Sequence, residues 1–202
     1  AYISSSMVYE RCQEHPSKEE HVMDSFIPST DYGLSKLVGE RLCMAFKDQY
    51  DIDYVIWRPF NIITPLEAAE KEQGISHVFA DFINNILIKK LNPLPIIGSG
   101  EQIRCFTWID DVAKLIGEYS FDSKTDNKEY NIGNPEPITM KELALMMYDG
   151  EEPLKFETVR EYHDDVMTRI PDVSKAMKEL GFEPTLKVKQ SIERCVTHIK
   201  NE

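Results

Sequence analysis

The stretch TDYGLSKLVGE, Thr30 to Glu40, sets a tyrosine and a lysine four residues apart, with Leu34, Leu37 and Val38 at helical spacing around them. The period continues through Leu42 and Phe46, which predicts one helix from about Asp31 to Tyr50. Just beyond, Tyr54-Val55-Ile56-Trp57 is a short, wholly apolar run stopped by Arg58-Pro59, as expected of a strand buried on both faces of a parallel sheet. Ahead of the helix, Tyr2 and Ile3 in AYISSSMVY read as the end of a strand that begins upstream of the first residue, so a front portion is expected beyond this chain. Strand, helix and strand in that order make a βαβ unit, and with it an α/β fold.

Further along, a polar loop runs through Gly74, an apolar-periodic helix covers Val78 to Lys90, and the Pro/Gly-rich passage Asn92 to Gly100 breaks regular structure. Cys105 to Ile109 reads as a strand, with Asp110 or Asp111 capping a helix through Phe121, and Lys128 to Gly133 as another strand. Thr139 with Glu142 fits a capping box for a helix Lys141 to Tyr148. Leu154 to Val159 is a strand candidate, Val173 to Leu180 a helix ended by Gly181, and a last helix starts near Val188. The later third is thus more α+β in character.

At 202 residues the chain can hold one large domain or two small ones, and 42% hydrophobic residues suffice for a packed core. Thirty-five acidic against 23 basic side chains give a net charge of −12, and no Lys/Arg run interrupts it, which argues against nucleic acid as a partner. Cys12, Cys43, Cys105 and Cys195 are far apart and form no Cys-x-x-Cys pair, so neither a metal site nor a disulfide framework is expected. No basic n-region precedes an apolar run and no eighteen-residue apolar window occurs, so no signal peptide or membrane span is expected and the reading is cytoplasmic.

Residues i and i+4 share a helix face, so Tyr32 and Lys36 can address one solvent pocket. An ammonium beside a phenol favours the phenolate, moving its pKa from about 10 toward the range of a general base. Spacing alone favours the plainer reading, aromatic packing plus a surface cation. Other segments add context: Ser4-Ser5-Ser6-Met7-Val8-Tyr9 after a strand, Tyr32-Gly33-Leu34-Ser35-Lys36, Arg58-Pro59-Phe60-Asn61, Gly98-Ser99-Gly100-Glu101-Gln102-Ile103-Arg104, Tyr130-Asn131-Ile132-Gly133, Pro171-Asp172-Val173-Ser174-Lys175-Ala176 and Leu180-Gly181-Phe182-Glu183-Pro184. This ordered series resembles the extended short-chain dehydrogenase/reductases, the NAD-dependent nucleotide-sugar epimerase/dehydratase family, from the first residue to about Ile192.

The resemblance implies the back portion of a Rossmann-like doubly wound parallel sheet, residues 1–65 and 105–135, with a smaller α+β substrate-binding domain, residues 66–104 and 136–202. It implies Ser5, Tyr32 and Lys36 as catalytic residues, with Tyr32, Lys36 and Pro59 beside the cofactor, and Ser6, Asn61, Arg104 and Arg169 toward a nucleotide-diphosphate sugar. Arg104 suits that role, since a guanidinium pairs bidentately with phosphate. NAD is the implied cofactor, with NADP left open. A homodimer through the Tyr32/Lys36 helix, presenting Leu37, Arg41 and Met44, is implied as well. His15, His21, His77, His163 and His198 match no catalytic position and are expected to be solvated or packed, Arg58-Pro59 to stop a strand, and Asn131 to support a turn.

Three departures matter. The family's dehydratases carry Asp-Glu at the two positions after the active serine or threonine, and its sugar-acid decarboxylases keep the second; here these are Ser6 and Met7, and a thioether transfers no proton. That favours C4 epimerisation through a transient 4-keto sugar, although DDVMTRIPD, residues 164–172, is more like the decarboxylase branch. Glu10 stands where a glycine usually follows Val8-Tyr9. No glycine-rich loop opening a helix is present to bind a pyrophosphate, so a non-catalytic nucleotide-sugar-binding module is the competing reading.

Overall fold

The computed structural model describes residues 1–67, 69, 77–160 and 166–201; the loop expected through Gly74, the Asp164-Asp165 pair and His163 lie outside them. Strand β1 (Tyr2–Ile3) leads through a 3₁₀ turn (Ser6–Tyr9) and a short helix α1 (His21–Asp24) to the long helix α2 (Asp31–Tyr50) and strand β2 (Val55–Pro59). After β3 (Ile62–Ile63) come α3 (Val78–Phe82), a π-helical stretch (Ile83–Ile88), β4 (Leu94–Ile97), β5 (Ile103–Cys105), β6 (Thr107–Trp108) and α4 (Ile109–Tyr119). Then follow β7 (Lys128–Ile132), β8 (Pro137–Thr139), α5 (Met140–Met147), β9 (Phe156–Arg160), α6 (Ser174–Leu180) and α7 (Val188–Asn201).

The βαβ unit forms as the pattern requires. β2 pairs in parallel with β1 on one side (Tyr2↔Ile56) and with β7 on the other (Trp57↔Tyr130). Its residues alternate between two covered faces. Val55 and Trp57 join Val112 and Leu115 of α4 and Ala176 and Leu180 of α6 in one apolar cluster. Arg58 points to the other face, where it meets Glu40 of α2. Helices on both faces of a parallel sheet explain why the run is apolar without alternation. A second and larger cluster gathers α3, the π-helical stretch, β4, α5 and α7 around Phe79, Phe106, Trp108 and Leu143.

Several local expectations need correction. β2 runs through Arg58-Pro59 instead of stopping before it. Arg58 is buried there because its guanidinium is fully used: Nε and Nη2 donate to Glu40, and Nη1 donates to Tyr9 Oη at 2.8 Å and to Glu19 O at 2.9 Å. Burial alone would depress its pKa, and the Glu40 hydrogen bonds reverse that, leaving it raised. Asn131 supports no turn; it lies buried in β7, accepts from Tyr9 Oη at 2.7 Å and donates to Ser17 O and Asp172 O. Neither Asp110 nor Asp111 caps α4, whose N-cap is Trp108. Within the first turn of the helix their carboxylates serve Trp108 Nε1 and Thr185 instead. The expected strand Cys105 to Ile109 is broken at the buried Phe106, because β5 pairs with β8 and β6 with β3.

Candidate active site

Ser5 and Tyr32 sit at the starts of two helical segments packed on each other. Ser5 is extended and caps the 3₁₀ turn, its Oγ accepting from Met7 N at 3.2 Å. Thr30 caps α2, its Oγ1 accepting from Gly33 N at 3.1 Å, and Tyr32 follows two residues later. Contact between the segments is backbone-close: a Cβ added at Gly33 would lie 2.9 Å from Met7 O and 2.8 Å from Pro28 Cβ. Glycine is therefore required at Gly33 by space rather than by conformation.

One turn further, Lys36 reaches back to the sheet. Its Nζ donates to Ile3 O at 3.0 Å and lies 5.6 Å from the Tyr32 ring centroid, within cation–π range. The phenol itself is exposed, at 54%. Ser5 and Ser6 are both buried, Ser6 more deeply at 3%. Tyr32, Lys36 and the Ser5 turn thus lie close to one another at the tip of β1.

The substrate-side residues form a second line. Arg104 on β5 and Arg169 converge on one carbonyl: Arg104 Nη1 donates to Ile103 O at 2.8 Å, and Arg169 N to the same oxygen at 3.1 Å. From there the Arg169 guanidinium extends to the Met7 sulfur, two residues from Ser5. Arg104 reaches this carbonyl through its guanidinium and Arg169 through its backbone N–H. Asn61 follows β2 at φ 24°, a conformation that asparagine tolerates better than most residues, and its Nδ2 donates to Cys105 O at 3.2 Å. Pro59 closes β2, half-buried, near this turn.

Sequence reading missed the carboxylate of Glu40 and noted Glu10 without its role. Glu40 is buried, accepts from Ser4 Oγ and, through both oxygens, from Arg58, which locks α2 to the tip of β1. Glu10 binds the N-terminus of α2 through Ser29 and Thr30. The signal for Glu40 was its place four residues beyond Lys36, on the inward face of the same helix. For Glu10 it was an acid where the family carries glycine.

A family model described as "NAD dependent epimerase/dehydratase family" matches residues 1–133. The chain belongs to this family. UDP-glucuronic acid decarboxylase 1 of Arabidopsis thaliana is 27% identical over 201 residues, covering 98% of this chain and 44% of that protein. UDP-D-apiose/UDP-D-xylose synthase of Oryza sativa subsp. japonica is 29% identical over 188 residues, 83% of this chain and 47% of that protein. The chain therefore spans about half the length of these curated relatives. Among solved structures, the UDP-N-acetylglucosamine 4-epimerase from Methanobrevibacter ruminantium M1, in complex with UDP-N-acetylmuramic acid, superposes with a TM-score of 0.83 at 26% identity, over all of this chain and 63% of that one. UDP-glucuronic acid 4-epimerase from Bacillus cereus, in complex with UDP-glucuronic acid and NAD, gives 0.79 at 26% identity, over 98% of this chain and 60% of that one. As a member of the epimerase/dehydratase family the chain has the Rossmann-type α/β fold, and among its described residues no helix is long and apolar enough to cross a membrane.

Proposed function

We propose that the protein is an NAD-dependent nucleotide-sugar epimerase acting at C4 through a transient 4-keto sugar. The observation that carries this reading is Met7. It stands where a dehydratase or decarboxylase of this family needs an acid, and its sulfur is covered by Arg169. The donor set here suits the ribose and nicotinamide end of NAD: after Ile3 O, Lys36 Nζ has two N–H bonds left, beside an exposed phenol. When bound, NAD supplies a hydride acceptor and donor at the sugar carbon. Tyr32 would take the C4 hydroxyl proton and return it to the same oxygen. Ser5 donates a hydrogen bond to the same oxygen, and Arg104, Arg169 and Asn61 hold the diphosphate while the sugar turns.

We propose a division into a sheet lobe, 1–65 and 105–135, and a substrate lobe, 66–104 and 136–202. A second copy is the partner we propose for α2. The location we propose is cytoplasmic, with Cys105 and Cys195 as buried thiols whose pKa burial pushes up to about 12.

Turnover of a panel of nucleotide-diphosphate sugars by the full-length protein tests the reading. Tyr32→Phe should lower kcat by about 10²-fold or more while substrate affinity stays unchanged. Equal turnover by the variant would sink the catalytic assignment and leave a binding module. A second reading, decarboxylation of a sugar acid, is favoured by Arg169 within the TRIPD segment. Release of CO2 from a nucleotide-linked uronic acid would select it, and inversion at C4 with the carboxylate retained would exclude it.

A further inference from the structure

We infer that Glu10 is a positioning residue that sets the Ser5 turn and the Tyr32 helix in register with each other. The reasoning starts from α5, which has the full capping box within one segment. There Thr139 Oγ1 accepts from Glu142 N, and Glu142 Oε2 accepts from Thr139 N at 2.7 Å and Thr139 Oγ1 at 3.0 Å. In α2 the first half is the same, with Thr30 Oγ1 accepting from Gly33 N. The third helical position, which supplies the returning carboxylate in such a box, is Gly33. No side chain fits there, because even a Cβ would collide with Met7 O and Pro28.

Glu10 supplies the missing half from outside the helix. Its Oε2 accepts from Thr30 N at 3.1 Å and Thr30 Oγ1 at 3.0 Å, and its Oε1 from Ser29 Oγ at 3.0 Å. The carboxylate is 9% exposed and faces the N-terminus of a twenty-residue helix, where negative charge is favoured. Glu10 is also the C-cap of the 3₁₀ turn whose N-cap is Ser5, its own N–H donating to Met7 O at 3.1 Å. One residue therefore ends the turn that begins with Ser5 and completes the cap two residues ahead of Tyr32. A glycine at this position could make none of these three side-chain bonds, so the departure from the family pattern is a built link between two segments.

The inference rests on the proposed roles of Ser5 and Tyr32, and its test separates the two. In the full-length protein, hydrogen–deuterium exchange of Glu10→Ala should quicken together over residues 6–9 and 31–34, while Glu142→Ala loosens the start of α5 and leaves both segments unchanged. With a turned-over nucleotide sugar, Glu10→Ala should lower kcat by about 10- to 100-fold at unchanged KM. Glu10→Gln, which keeps an acceptor for Thr30 N–H, should recover part of it, and Glu142→Ala should keep full kcat. Faster exchange confined to residues 31–34, or a kcat loss no larger than that of Glu142→Ala, would overturn the inference. If the parent protein turns over no nucleotide sugar, the epimerase reading fails, and the paired exchange response still decides whether Glu10 couples the segments.

Discussion

At Glu19 burial and hydrogen bonding oppose each other. The carboxyl is 6% exposed, and burial raises its pKa above the ordinary value, against the lowering effect of the Asn131 N–H it accepts at 2.8 Å. A glutamate with a raised folded-state pKa binds its proton more tightly folded than unfolded. Its contribution is most favourable below the unfolded value, about 4.3, and is lost as pH rises through the folded value. Glu19→Gln keeps an acceptor for Asn131 and removes the charge, so the variant should melt higher than the parent near neutral pH. The gap should narrow as pH falls toward about 4, where both side chains are neutral. Paired melting curves from pH 4 to 8 check this, and a gap independent of pH would refute it. Glu40, also buried, is paired instead: Arg58 meets both its oxygens, so removing either partner should be strongly destabilising.

At the level of elements, two glycines in helices carry opposite expectations. Gly117 lies in α4 with nothing within 4 Å of an added Cβ, so Gly117→Ala should stabilise by about 1 kcal/mol through helix propensity alone. Gly33→Ala gains the same propensity and loses more, since Met7 O and Pro28 must move, and it should lower both Tm and turnover. Chemical denaturation of the two variants side by side checks the contrast; a stabilised Gly33→Ala would show that the α2 contact with the Ser5 turn is loose. This contact was beyond the reach of sequence, because it joins segments more than twenty residues apart. What periodicity could read, it read well. The Asp31–Tyr50 helix, the doubly covered β2 and the Thr139 capping box are local patterns, and all three form as expected. Arg58 and Asn131 were misjudged because their partners, Glu40, Tyr9, Ser17 and Asp172, come from distant segments. Of the candidate site, Tyr32 with Lys36 was legible from spacing. The convergence of Arg104 and Arg169 on Ile103 depends on strand pairing, which no short motif encodes.

At the scale of the whole molecule, the outer face of α2 presents exposed apolar side chains. Leu34, Val38, Leu42, Phe46 and Tyr50 recur every four residues and are all 40% exposed or more, an apolar stripe along a helix about 30 Å long. The residues expected to face a partner subunit are not this set. Leu37 turns inward onto the Val8–Tyr9 cluster, while Arg41 is exposed with its guanidinium on Met23 and Met44. A second copy packed through α2 would cover the stripe, with Phe46 and Tyr50, whose rings are 5.3 Å apart, as its aromatic end. Leu42→Glu with Phe46→Glu would place like charges across such a seam. Because both side chains are exposed in one chain, the double variant should keep its fold and circular dichroism while moving from dimer to monomer mass in light scattering. The net charge of −12 on each copy adds long-range repulsion, so dimerisation of the parent should tighten as salt rises. A parent that is monomeric at all salt concentrations, or a double variant that keeps the dimer mass, would remove α2 as the interface.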